Sequence, residues 1–353
     1  MKIQETHGDL VLGTFGRAFW VIDDIGPFRE LAKENYTQKD FDVVSSTPAY
    51  LSERRSYQGI RFIGQAEFQG DNRGTNAMYS IWIKPDDKSK KKEDKSAEKK
   101  DESKGKKGKK KDKLYFDVID SQGDTVRSFS RKVTDKGLIR TSWNLRVDGV
   151  RGPSRREAKP EDDLPAGNSA MPGTYTMVVT YGDWSDQITT HVYMDPRLDM
   201  SKKDMAAMAG AIEDYNEVFK SAKESYDKVT KAQKSIALIE KLTETLTDDD
   251  TKTEVEELTK TEKKNLEELE LLFFNKQNQK GIQRNPNILT AKLRGASRYI
   301  GSSYGAPGAN AKAAEAQARA KAEEVIKKVD DYIDGDWKAY KAAIDAIHFK
   351  IFD

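Results

Sequence analysis

Met171-Pro-Gly-Thr-Tyr-Thr-Met-Val-Val-Thr180, continued to Asp195-Pro-Arg197, is the stretch on which the fold turns. Pro172-Gly173 is a turn pair. After it, Tyr175, Met177 and Val179 alternate with threonines, the period-2 pattern of a strand with one covered face. Tyr181-Gly-Asp-Trp-Ser-Asp186 interrupts the run with turn chemistry, and Ile188, Thr190, Val192 and Met194 then share one face of a second strand. Pro196 cannot donate to a ladder, so the hairpin closes there. From Ser201 the apolar period changes to about three and a half. Strands are therefore expected before this hairpin and helices after it.

The bulk composition fits two or three such parts. The chain has 353 residues, enough for roughly two or three domains. Lys and Arg number 61 against 59 Asp and Glu, so the net charge of +2 argues for neither nucleic acid nor membrane as a partner. Charged residues make up 34% and the mean hydropathy is −0.81, values that suit long solvated helices better than one large core. The absence of cysteine excludes disulfides and thiolate metal sites. No run of about 18 apolar residues is present, so no transmembrane segment is expected. Residues 1–8 carry no apolar stretch of signal-peptide type.

Upstream, residues 9–24 (Asp-Leu-Val-Leu-Gly-Thr-Phe-Gly-Arg-Ala-Phe-Trp-Val-Ile-Asp-Asp) read as two strands, 10–14 and 18–22, turning at Gly16-Arg17. Leu10, Leu12, Phe15, Phe19, Trp20, Val21 and Ile22 are too apolar for a free hairpin, which is marginal in water on its own. The residues that follow do not obviously supply the missing sheet. The stretch resembles the closing strands of bacterial sortilin-like (VPS10-type, BNR-repeat) β-propeller proteins, often labelled glycosyl hydrolases. Their last blade ends in a similar pattern, with a His common where Phe15 stands, and Pro27-Phe-Arg-Glu-Leu31 suits the short helix that follows. Trp143-Asn-Leu-Arg-Val-Asp-Gly-Val-Arg151, Pro172-Gly-Thr-Tyr-Thr and Asp195-Pro-Arg197 are similar to the Ig-like domain after the propeller. Leu289-Thr-Ala-Lys-Leu293 and the later Ala-rich helix are similar to the family's helical tail.

The expected fold class is therefore an α+β multidomain chain, an Ig-like antiparallel β-sandwich followed by an antiparallel helical bundle and preceded by a remnant β-propeller hairpin. The expected divisions are 1–40, 41–197 and 198–353. Residues 77–84, 114–119, 125–132 and 138–145 read as sandwich strands. Between the first two of these, 86–113 is a Lys-rich tract with almost no apolar residue, expected to stay a solvated, disordered insert. Residues 151–170 read as a polar loop.

Ser201 and Asp204 form a variant capping box. Met205, Met208, Ile212, Tyr215, Phe219, Ala222, Tyr226 and Val229 then make a heptad seam that Ile236, Ile239, Leu242 and Leu246 extend. Asp248 caps a second helix carrying Val255, Leu258, Leu266, Leu269, Leu272 and Phe273, and Asn285-Pro286 is expected to open a third. The last helix carries Val325, Val329, Ile333 and Trp337 with a break at Gly335.

No set of residues assembles a catalytic site, and no metal or cofactor is expected. Gly301-Ser-Ser-Tyr-Gly305 matches G-x-S-x-G, but a nucleophile elbow needs a strand before it, and a helix precedes it here. His7, His191 and His348 have no ligand spacing. Asp120–Asp124 reads as a hairpin turn, and Asp248–Asp250 as a helix start where negative charge suits the dipole. Asn35-Tyr-Thr37 is a sequon by pattern alone. Most of the five tryptophans suit core packing; Trp184, with Tyr181 beside it, is the candidate ligand contact, by stacking. Asp23 and Asp24 are adjacent and point to opposite faces, a poor glycosidase pair.

The functional expectation is a non-catalytic C-terminal structural or binding module. Its partners would be an upstream propeller and a protein or glycan ligand. By resemblance the parent protein would be exported, to the periplasm, outer membrane or beyond. A glycoside hydrolase with its carboxylates upstream, and a helical or nucleic-acid-binding protein using the lysine tract, are the competing readings.

Overall fold

In the computed structural model, the described residues are 1–5, 7–52, 74, 76–86, 113–278, 281, 285–302, 305–347 and 349. The chain is mixed α/β, with several sheets and a long helical region, and it divides into two compact units. The first comprises residues 1–148 and 169–199, the second 149–168 and 200–353. Most of the lysine tract, 87–112, lies outside the described residues.

The strands are β1 (Lys2–Gln4), β2 (Asp9–Gly13), β3 (Phe19–Ile22), β4 (Phe41–Ser46), β5 (Ala49–Leu51), β6 (Ala77–Ile83), β7 (Lys113–Ile119), β8 (Thr125–Lys132), β9 (Gly137–Trp143), β10 (Arg146–Asp148), β11 (Ala166–Ser169), β12 (Gly173–Tyr181) and β13 (Trp184–Met194). A five-stranded sheet runs β5-β13-β12-β7-β8 and a three-stranded sheet runs β4-β6-β9. All these pairs are antiparallel except β5 with β13. One hydrophobic cluster draws Tyr79 and Ile81 from β6, Phe116 and Val118 from β7, and Met177 and Val179 from β12. The alternation read from the 171–197 stretch thus becomes burial: Tyr175, Met177, Val179 and Tyr181 face the core and the residues between them do not.

The hairpin turn is two residues long, since Tyr181 pairs directly with Trp184. Gly182 sits first in it at φ 60, the left-handed backbone such tight hairpins favour and glycine adopts without strain. Trp143 is 1% exposed, packs edge-on against Tyr175 at 5.1 Å, and donates from Nε1 to the Arg146 carbonyl at 2.8 Å. Beyond the hairpin, the Asp195 carboxylate is buried and accepts the Arg197 backbone N–H at 2.9 Å and its Nε at 2.8 Å. Those bonds hold its carboxyl down at about 2.

A third sheet, β1-β2-β3, lies at the N-terminus, with the short helix α1 (Gly26–Leu31) after it. Expected as a two-strand hairpin, it gains β1, whose Ile3 pairs with Leu10.

The second unit holds α2 (Lys202–Thr243), α3 (Asp249–Phe273), α4 (Leu289–Ile300), α5 (Ala309–Asp334) and α6 (Asp336–Asp345). At 42 residues, α2 is about 63 Å long. Its capping box is formed: Ser201 Oγ accepts the Asp204 N–H at 3.1 Å and Asp204 Oδ2 accepts the Ser201 N–H at 3.3 Å. Asp248 caps α3 through the Thr251 N–H at 2.9 Å. The heptad residues Tyr215, Ala222, Tyr226, Val229 and Ile236 enter one core with Leu266, Phe273, Leu293 and Val325. The third helix does not start at Pro286. Asn285 Oδ1 accepts the Asn287 N–H at 2.9 Å, a local turn that delays the helix to Leu289. The break at Gly335 is present: α5 ends there and α6 begins at the next residue.

Candidate functional site

The most exposed apolar surface among the described residues belongs to β1-β2-β3. Leu10 pairs with Ile22, Val11 with Val21, Leu12 with Trp20 and Gly13 with Phe19. Residues directly opposite in an antiparallel pair share a face. One face therefore carries Ile3, Leu10, Leu12, Trp20 and Ile22, and the other Val11, Val21 and Phe19 together with Lys2, Gln4 and Asp9. All four β3 residues are exposed, Trp20 at 59% and Phe19 at 79%, and Phe15 in the preceding turn is fully exposed. The Phe19 ring lies across Gly13, where an added Cβ would sit 3.5 Å from it. No strand pairs with the outer edge of β3 among the described residues. An antiparallel sheet ordinarily turns one polar face to water. Here both faces of β3 are apolar and uncovered.

The carboxylates around this sheet are engaged by backbone. Asp9 Oδ1 accepts the Asp24 N–H at 2.9 Å, and Asp24 Oδ1 accepts the Gly26 N–H at 3.1 Å. Asp24 itself has φ 46, and the Ile25 N–H closes onto the Gly8 carbonyl at 2.9 Å. From β9, Arg140 donates to the carbonyls of Asp23 and Asp24 and lays its guanidinium over the Phe28 ring at 5.5 Å. Asp9 and Asp24 therefore fix the exit from the sheet into α1. This geometry gives the Asp9 and Asp24 carboxylates of the motif a structural role.

Tyr181 and Trp184 are brought together, one on each side of the β12–β13 turn. Their rings stack at 6.0 Å with an interplanar angle of 11°. Tyr181 is buried and stacks on Phe41 as well, at 6.4 Å. Trp184 is 46% exposed, so it alone presents a ring face outward. Of the other tryptophans, Trp82, Trp143 and Trp337 are buried, whereas Trp20 departs from the expected core packing.

The remaining candidates take local structural roles. Asp120 Oδ1 accepts the N–H groups of Gln122 and Asp124 at 2.8 and 3.0 Å, as a hairpin-turn carboxylate does. Asn35 is in the left-handed region and starts a 3-10 turn over Tyr36–Gln38. His7 lies in a turn, and His191 on β13 has Nδ1 3.1 Å from Thr174 Oγ1; His348 lies outside the described residues. Gly301 ends α4, no strand precedes it, and Ser303 and Tyr304 lie outside the described residues. Among the described residues no group of three His, Asp or Glu could hold a metal ion, and no helix is long and apolar enough to cross a membrane. No family model, curated protein or solved structure matches the chain.

Proposed function

We propose that this chain acts as a non-catalytic binding module, docking its N-terminal sheet against further β-sheet layers of a sortilin-like propeller encoded with it. The observation that carries the reading is β3, whose residues are apolar on both faces and exposed on both. Such a strand is stable when a sheet lies against each face, at about 10 Å, as blades do in a propeller. The two sheets that share one core support an Ig-like sandwich next in the chain, and the helices that share another support a bundle after it. On this reading the parent protein is exported, and any hydrolytic carboxylates belong to the propeller. Trp184 is the point where a protein or glycan ligand would stack.

The test is to read the coding sequence upstream of Met1 and compare the longer product with this chain by hydrogen exchange. The expected result is a series of repeats at periods of about 40–50 residues, with the amides and the Trp20 ring of the sheet shielded in the longer protein. An upstream sequence without repeats, or a sheet that exchanges equally fast in both products, overturns the proposal.

A further inference from the structure

The second unit contains a cleft of about 760 Å³ walled by the 149–168 segment on one side and by α2 and α4 on the other. Its size is that of a small-molecule site. Seven Lys or Arg side chains line it against four Asp or Glu, an excess of three positive charges in a chain whose whole net charge is +2.

Most of those charges are paired. Arg155 donates from Nε to Glu270 at 2.5 Å and from Nη2 to the Asn275 carbonyl at 2.9 Å, with its guanidinium 4.8 Å above the Phe274 ring. Arg156 pairs with Asp162 at 3.0 Å, Lys234 with Glu157 at 2.6 Å, and Lys223 with Asp227. Among the described residues, three cations make no carboxylate hydrogen bond; the Asp163 carboxylate lines the cleft with them, and Asp162 acts electrostatically on Arg151 as well as on Arg156. Lys231 on α2 and Arg294 on α4 are exposed and have no carboxylate partner among the described residues. Arg151 is half-buried and donates only through Nη2, to the carbonyls of Asp162 and Asp163, so its Nε and Nη1 have no partner among the described residues.

The wall that presents Arg151 is anchored. Pro153 is buried, and Gly152 lies so close to Phe219 that an added Cβ would sit 2.7 Å from the ring. Arg155 pins the middle of the segment to α3, and Lys234 ties Glu157 to α2. The backbone that carries Arg151 therefore needs little ordering when a ligand arrives, a condition under which charge complementarity becomes affinity. A cleft lined by one sign of charge also concentrates its counter-ion.

We infer that this cleft binds a compact organic oxyanion of about three negative charges, carried on phosphate or carboxylate groups, with Arg151, Lys231 and Arg294 as its ligands. Arg151 supplies a planar fork for bidentate contact, and the two exposed cations supply charge. Phe219, also in the lining and half-buried, gives the ligand's carbon skeleton an apolar surface. The site does not depend on the docking of the N-terminal sheet.

The experiment is isothermal titration of the full chain in low salt with pyrophosphate, with citrate, and with sulfate as a divalent control. At least one trivalent probe is expected to bind about tenfold or more tightly than sulfate, each tenfold being about 1.4 kcal/mol. Binding of pyrophosphate alone assigns a phosphate ligand, citrate alone a polycarboxylate, and both a site selective for charge. K231E/R294E, which changes only exposed unpaired side chains and should leave the thermal transition in place, is expected to weaken that binding at least tenfold. R151K, which keeps the charge and loses the fork, is expected to weaken it several-fold. If neither probe binds at concentrations up to about 10 mM, if sulfate binds as well, or if K231E/R294E binds unchanged, the inference is wrong.

Discussion

Asp195 and Trp143 show how single residues of one motif region do different work. The Asp195 carboxylate is buried and held by Arg197 chiefly through the side-chain hydrogen bonds, then through the backbone N–H, so its folded pKa of about 2 lies below the ordinary carboxylate value near 3.9. A depressed carboxylate contributes stability that is present above its unfolded pKa and lost as pH falls through its folded one. The protein should therefore lose stability between about pH 4 and pH 2. Glu324, its carboxyl held down at about 2 by Lys321 and Lys328, shares this window. Asp195→Asn should therefore make that part of the curve shallower without abolishing it, as measured by chemical denaturation at stepped pH; an unaltered curve would show that Asp195 does not contribute. Trp143 acts by volume. Its ring is almost completely buried against Tyr175, and Trp143→Ala should cost about 3–5 kcal/mol in the same assay. A loss below about 1 kcal/mol would mean the site collapses around the gap.

At the level of elements, caps and breaks decide where the helices lie. The Ser201–Asp204 box satisfies N–H groups that the first turn of α2 would otherwise leave open. Ser201→Ala should cost about 1 kcal/mol, read as a lower denaturant midpoint with an unchanged slope. Caps of this kind were legible in sequence because they depend on neighbours three residues away. The α4 start was not. Pro286 is well suited to a first helical position, but the Asn285 side chain captures the Asn287 N–H and turns the chain once more before the helix begins. A local side-chain bond competed with the helix and won. The two-residue turn at Gly182-Asp183 differs in the same way from the longer loop its composition suggests. Pairing carries on to Tyr181 and Trp184 because their rings stack across the strands.

For the whole molecule, the decisive surface is the one that its own described residues leave bare. Exposed side chains away from special features usually alter stability by no more than about 0.5 kcal/mol. Phe19→Ser with Val21→Thr should accordingly leave the thermal transition nearly in place while reducing self-association and binding of hydrophobic dyes, measured by light scattering and fluorescence. A fall of several degrees in the transition would show that the sheet is covered within this chain and would remove the ground for the docking proposal. Exposed apolar side chains on an unpaired edge strand are otherwise an aggregation hazard, here limited by the strand's four-residue length.

The sequence by itself determined the change from strand to helix near residue 200, the alternating face of β12 and β13, the seam of α2, and the excess of apolar residues in 9–22. Each of these is a periodicity or a local count, and covalent spacing alone carries it. The tertiary structure decided what the spacing could not reach. It added β1 to the N-terminal sheet, buried Tyr181 while leaving Trp184 exposed, and turned Asp9 and Asp24 into backbone acceptors. It also grouped 149–168 with the helices and brought Arg151 into the same cleft as Lys231 and Arg294. A cluster of charge assembled from residues 63 to 143 positions apart has no period to betray it; only the packing that closes those loops puts the three cations around one space.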